Sequence, residues 1–64
     1  MKINELEQML GVPRSLIFYY EKEGLVTPQR RANRYREYSE ADVERLETIL
    51  ALRRLGFSLA QISD

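Results

Sequence analysis

The side chains with the clearest chemical potential form a basic run in the middle of the chain. The run combines guanidinium groups with phenolic hydroxyls: Arg30, Arg31, Arg34, Tyr35, Arg36 and Tyr38. Guanidinium groups bind phosphate oxygens through paired N–H donors, and a tyrosine hydroxyl can add a further hydrogen bond. A charge run is often only a solvated surface, so its meaning depends on the elements that position it.

The net charge of the chain conceals this run. The 64 residues carry 10 basic and 10 acidic side chains, a formal charge of +0. Residues 13–38 hold six basic and three acidic side chains, a net +3, whereas residues 1–12 and 39–64 carry −1 and −2. Because phosphate binding depends on the local patch rather than on the total, a neutral chain can bind a phosphate backbone through its centre.

The composition excludes several classes of chemistry. The chain has no cysteine and no histidine, which removes disulfides, thiolate or imidazole metal ligands, and a Cys or His nucleophile or base. Glu21 and Glu23 form no convincing acid–base pair. No apolar run approaches the roughly 18 residues that span a membrane. We therefore expect a cytoplasmic binding domain with no enzymatic activity, no cofactor and no metal.

The first third of the chain predicts a helix-turn-helix over about residues 4–23. Asn4 with Glu7 indicates a helix start, and Gly11 indicates its end. Pro13 favours the first turn of a second helix, which ends at 23–24. Because neighbouring residues cannot share a helix face, we expect Tyr20 in the core and Tyr19 on the surface.

The remaining segments predict a hairpin followed by two helices. Alternation and turn residues over about 29–38 indicate two short strands with a turn at Ala32-Asn33 and Tyr35 in the core. Ser39 and Asp42 form a capping box for a helix over about 39–55, and a fourth helix begins over about 58–64. The expected fold is mostly α with a small β-hairpin wing, a winged helix-turn-helix of three helices plus the start of a fourth.

The apolar positions of these elements give a set of core candidates. The set is Ile3, Leu6, Leu10, Val12, Ile17, Leu25, Val43, Leu46, Leu50, Leu55, Phe57, Leu59 and Ile62. Those within the predicted helices recur at helical spacing, which places them on inward faces.

Three runs of the sequence are together similar to one protein family. They comprise Gly11-Val12, Ile17, Tyr19-Tyr20-Glu21 and Gly24-Leu25; then Pro28-Gln29-Arg30 and 35–38; then Asp42, Leu46, Ile49 and 53–62. In order and spacing they resemble the N-terminal DNA-binding domain of the MerR family of bacterial transcription regulators. The resemblance covers nearly the whole chain.

The resemblance implies a function and partners. It implies sequence-specific binding of double-stranded promoter DNA in the bacterial nucleoid, with the second helix in the major groove and the wing on flanking phosphates. It also implies a homodimer formed through a helix absent from this sequence, followed by an effector domain, and engagement of RNA polymerase. On this view the 64 residues are a fragment.

The residues expected to contact DNA lie on the second helix and the wing. They are Arg14, Ser15, Phe18, Tyr19, Arg30, Arg34, Arg36 and Tyr38. Phe18 stands where the family usually has arginine, and it could meet a thymine methyl or pack under the wing. Tyr38 could equally belong to the core. We expect Glu21 to orient a wing arginine or to cap a neighbour rather than to contact DNA, since a carboxylate repels phosphate.

Two alternative functions stay open on the same fold. One is a protein-docking module that uses Leu16 and Phe18 as an apolar patch, in place of the arginines usual in the family. The other is the DNA-binding domain of a recombination or transposition accessory factor.

Overall fold

The structure, a computed structural model, describes residues 1–30 and 35–63. Its elements are α1 (Ile3–Leu10), α2 (Arg14–Lys22), β1 (Gln29–Arg30), β2 (Arg36–Glu37), α3 (Glu40–Arg54) and α4 (Leu59–Ser63). The two strands pair antiparallel, with Gln29 opposite Glu37 and Arg30 opposite Arg36. The prediction of a mostly helical winged helix-turn-helix is confirmed. In the described part of the chain, no helix has the length and apolar character to cross a membrane.

Helix α1 begins two residues earlier than the sequence predicted. Its N-cap is Lys2, in extended backbone, and the Glu5 carboxylate accepts a hydrogen bond from the Lys2 backbone N–H at 3.0 Å. Asn4 lies inside the first turn, so the prediction of an Asn4–Glu7 capping pair is wrong. The helix ends as predicted at Gly11, whose φ of 68° is the left-handed conformation that favours glycine.

Helix α2 follows after a short turn. Pro13 is its N-cap rather than its first helical residue, with φ −71° and ψ 151°. Gly24, at φ 78°, reverses the chain after the last turn, and the Leu25 N–H donates back to the Tyr20 carbonyl at 3.0 Å. This tight exit turns the chain directly into the core, where Leu25 and Val26 are buried.

The predicted capping box of α3 is confirmed. Ser39 Oγ accepts from the Asp42 N–H at 3.1 Å, and Asp42 Oδ2 accepts from the Ser39 N–H at 2.9 Å. In the middle of the helix, Arg45 Nε donates to the Leu25 carbonyl at 2.7 Å. This bond fixes the segment after α2 against α3.

One hydrophobic cluster joins all three longer helices to the hairpin. Its buried members are Leu6, Ile17, Tyr20, Leu25, Val26, Tyr38, Leu46 and Ile49. Most of the other predicted core residues pack against this cluster, but Leu55 and Phe57 are exposed, so those two predictions are wrong. Both lie at or beyond the end of α3, where no element of the described chain covers them.

The hairpin, which we call the wing, is tied to the start of the chain. The Met1 nitrogen donates to the Tyr38 carbonyl, and the Tyr38 N–H donates to the Met1 carbonyl, both at 2.8 Å. The predicted turn at Ala32-Asn33 lies outside the described residues.

Candidate nucleic-acid interface

Arg14, the first residue of α2, is held by Glu7 of α1. Glu7 Oε1 accepts from Arg14 Nε at 3.0 Å and from Nη2 at 2.7 Å, and Glu7 Oε2 accepts from the Arg14 backbone N–H at 2.9 Å. These hydrogen bonds lower the pKa of Glu7 and raise the pKa of Arg14. The Arg14 side chain is still 51% exposed, so the pair lies at the surface.

Phe18 and Arg36 pack against each other between α2 and the wing. The guanidinium carbon of Arg36 lies 4.2 Å from the centroid of the Phe18 ring, a cation–π distance. Of the two roles considered for Phe18, packing beneath the wing is the one that this contact favours. The Phe18 side chain is partly buried.

Glu21 joins two wing arginines to α2. The Arg36 Nε–H is shared between both Glu21 oxygens at 2.9 Å, and Arg30 Nη2 lies 3.8 Å from Glu21 Oε2. The expectation that Glu21 orients a wing arginine is thus confirmed. Arg36 is both stacked and paired, so it positions the wing, whereas the more exposed Arg30 extends toward solvent.

Ser15 and Tyr19 lie on the exposed face of α2. Tyr19 is 46% exposed while Tyr20 is buried, as the helix geometry predicted. The two rings still touch obliquely, with centroids 5.9 Å apart. Ser15 is exposed one residue into the helix, where the first turn of a helix-turn-helix reaches base edges. Contact of either side chain with DNA stays a prediction.

Of the two roles expected for Tyr38, the structure shows the core position, whereas Tyr35 lies at the surface instead of in the core. Tyr38 is only 2% exposed, and its hydroxyl has no hydrogen-bond partner among the described residues. Burial, with the nearby charge of Glu21, raises the pKa of Tyr38 to about 12. The expected phosphate contact of Tyr38 is therefore corrected, because a buried hydroxyl cannot reach a backbone outside the protein. Tyr35, expected in the core, is 71% exposed.

Alternation of side chains along the second strand and the residues beside it explains where the two tyrosines lie. Arg36 and Tyr38 lie two apart and share the inward face of the wing, so Tyr35 points outward. The structure also contains a cleft that the sequence did not predict. It is open, has a volume of about 200 Å³, and is lined by Lys2, Ile3, Asn4, Arg14, Tyr35 and Arg36. Three cationic side chains thus border one cleft beside α2. Lys2 was not predicted as part of the interface, because in the sequence it lies before the first predicted helix.

Arg34, another expected contact, lies outside the described residues. Among the expected residues, Arg14, Ser15, Tyr19 and Arg30 are exposed, and Phe18 and Arg36 pack against each other between α2 and the wing. An exposed helix face and a basic wing therefore lie side by side, with Glu21 fixing one to the other.

Comparison of the sequence with known proteins identifies relatives that are named as regulators. The chain is 41% identical over 61 residues to the HTH-type transcriptional regulator HmrR of Rhizobium leguminosarum, covering 95% of this chain and 47% of that protein. It is 42% identical over 62 residues to the mercuric resistance operon regulatory protein of Bacillus cereus, with the same coverage of 95% and 47%. The chain thus spans about half the length of these curated relatives.

A solved structure shows the same fold. The chain of HiNmlR, a MerR family regulator lacking the sensor domain, bound to promoter DNA, superposes with a TM-score of 0.90 at 23% identity, covering 98% of this chain and 48% of that one. The family model for the MerR HTH family regulatory protein matches residues 1–64. The chain therefore belongs to the MerR family of helix-turn-helix regulatory proteins.

Proposed function

We propose that this chain is the DNA-binding domain of a bacterial transcription regulator and binds double-stranded DNA sequence-specifically. In this proposal α2 enters the major groove and the wing contacts flanking phosphates. The main observation in its support is that Glu21 contacts both Arg36 and Arg30. These contacts hold the two wing arginines beside the exposed face of α2. A helix for base edges and a cationic hairpin for the backbone are the two parts that such recognition needs.

Family membership and the names of the relatives support the wider proposal. The relatives are transcriptional regulators of bacteria, so we propose action on promoter DNA in the cytoplasm, without a catalytic role. Pairing of two copies through a helix outside these 64 residues, and engagement of RNA polymerase, are proposed for the whole regulator.

The docking alternative finds less support in the structure. It requires Leu16 and Phe18 to form an open apolar patch. Leu16 packs against the core cluster, and the guanidinium of Arg36 covers the Phe18 ring. Both side chains are therefore only partly exposed.

The test is a salt titration of the binding of the chain to mixed-sequence duplex DNA. We expect affinity to fall steeply with salt, and R30A to reduce the slope of log K against log salt by about one for the lost phosphate contact. R54A removes the same charge from the last turn of α3, and we expect a smaller change in slope. Absence of binding at low salt, also in a version carrying a dimerising coiled coil, would contradict the proposal.

A further inference from the structure

We propose that Glu7 and Arg14 form a preoriented guanine-reading pair, in which Arg14 contacts the base and Glu7 is the positioning residue. This inference rests on the proposed function and names a specificity determinant within it. It assigns a role in DNA recognition to an acidic side chain of α1.

The hydrogen bonds divide the guanidinium of Arg14 into two edges. A guanidinium carries five N–H donors, one on Nε and two on each Nη. Glu7 Oε1 takes one edge, formed by Nε and Nη2. The other edge, formed by Nη1 and the second N–H of Nη2, is outside this pair. Two parallel donors of this kind match O6 and N7 of guanine in the major groove.

The other oxygen of Glu7 fixes the pair to the recognition helix. Oε2 accepts the backbone N–H of Arg14, the first residue of α2. The carboxylate therefore binds the side chain and the main chain of the same residue. A free arginine loses rotamer freedom when it binds a base, whereas a guanidinium already held in place loses less.

The pair is accessible and lies at the proper end of the helix. The Arg14 side chain is 51% exposed and that of Glu7 is 26% exposed. In helix-turn-helix proteins, the N-terminal residues of the second helix contact base edges. Since exposed ion pairs contribute little to folding, stability alone gives a weak reason for this three-bond arrangement.

Glu7 should have opposite effects on affinity and on selectivity. Its negative charge repels nearby phosphates, so it weakens binding to every duplex. Its hold on Arg14 strengthens the preference for guanine. Loss of the carboxylate should therefore raise affinity for unselected DNA while reducing discrimination at one base pair.

The experiment begins with selection from a randomised duplex pool by the 64-residue chain at low salt. Each guanine of the selected site is then replaced by adenine or by 7-deazaguanine, which lacks the N7 acceptor. Binding is measured for the unaltered chain, E7Q and R14A. E5Q is the matched control, since Glu5 is an acid of the same helix whose carboxylate binds the Lys2 backbone N–H rather than Arg14.

We expect one guanine whose replacement by adenine weakens binding of the unaltered chain by roughly 5- to 150-fold. R14A should lose most of that ratio, and E7Q should lose a substantial part while binding unselected duplex as well or better. E5Q should keep the ratio. Because 7-deazaguanine alters only the DNA, its effect on the unaltered chain and its absence in R14A separate base reading from damage to the fold.

Several results would overturn the inference. If E7Q increases the preference for guanine, Glu7 restrains Arg14 instead of presenting it. If R14A keeps every guanine preference, Arg14 does not read guanine. Either result, together with a salt slope reduced by R30A, leaves the proposed function standing. If neither the chain nor its version with a dimerising coiled coil binds duplex at low salt, the proposed function and this inference fail together.

Discussion

Glu21 is an acidic side chain on a surface that we propose faces phosphates. If its charge acted only on DNA, its removal would tighten binding. Because Glu21 holds Arg36 at 2.9 Å and lies near Arg30, we expect the opposite. E21Q should weaken DNA binding and lower the free energy of unfolding by about 1.5–3 kcal/mol, the typical effect of a lost charged hydrogen bond.

Fluorescence anisotropy and urea unfolding measure these two effects. E23Q is the matched control, because Glu23 is an exposed acid at the end of the same helix. We expect E23Q to bind DNA as well as the unaltered chain or slightly better. Tighter binding by E21Q than by E23Q at every salt concentration would show that Glu21 acts only as a repulsive charge.

The Glu7–Arg14 pair also gives a pH dependence with a definite sign. The folded-state pKa of Glu7 lies below its ordinary value of 4.5. A lowered carboxyl pKa contributes stability that is present above the unfolded-state pKa and is lost as pH falls through the folded-state pKa. The difference in unfolding free energy between the unaltered chain and E7Q should therefore be constant near neutral pH and shrink below about pH 4.5. A difference that does not shrink as the pH falls below 4.5 would contradict the assignment.

Replacement of Tyr38 by phenylalanine tests whether its buried hydroxyl contributes to stability or to DNA binding. Its oxygen has no partner among the described residues, and burial of an unsatisfied polar group is unfavourable. Y38F should therefore keep the free energy of unfolding or raise it by up to about 1 kcal/mol, with unchanged DNA affinity. A loss of affinity that reduces the salt slope would instead restore Tyr38 as a phosphate ligand.

At the scale of the elements, the sequence predicted helix ends where a local rule determined them. Gly11, Gly24 and Ser39 impose backbone or capping conditions that depend only on near neighbours. The prediction of an N-cap at Asn4 was wrong because Lys2 offers an alternative start for the same helix. The extended backbone of Lys2, with the Glu5 carboxylate bound to its N–H, forms the observed helix start. Local rules do not decide between such alternatives.

The candidate site was less predictable because its contacts join distant segments. The partners Glu7 and Arg14 belong to different helices, and Glu21 meets Arg36 across 15 positions of the chain. Residue type indicated that these arginines could bind phosphate, but not which of them an acid already held. Two-residue strands also carry too little alternation to show that Tyr38 faces inward and Tyr35 outward.

Gly11 allows a direct test of a local rule. Its φ is 68°, and apart from the adjoining residues an added Cβ would meet no atom of the described chain within 4 Å. The effect of G11A is therefore backbone strain alone, and we expect it to lower the free energy of unfolding by about 1–2 kcal/mol. G11N should lower it less, since asparagine tolerates the left-handed region better. Equal effects of both variants in urea unfolding would contradict the assignment of the loss to left-handed backbone strain.

At the scale of the whole molecule, one copy presents one helix and one wing. A single domain of this size can cover only one half-site, so its affinity for DNA depends strongly on whether a second copy is held nearby. The family match covers the entire chain, but the chain spans about half the length of its relatives. The effect of pairing can therefore be tested by joining two copies of the chain and measuring their affinity for DNA.

We expect a dimerising coiled coil, joined by a flexible linker, to raise affinity for paired half-sites by about 10²- to 10⁴-fold. The half-sites should be inverted and separated by about 10 base pairs, so that both second helices enter the same side of the duplex. Affinity for a single half-site should change far less, because the second copy then gains only phosphate contacts. Titrations of both duplexes at one salt concentration measure the difference. An equal gain on both would show that the second copy adds charge without reading a site.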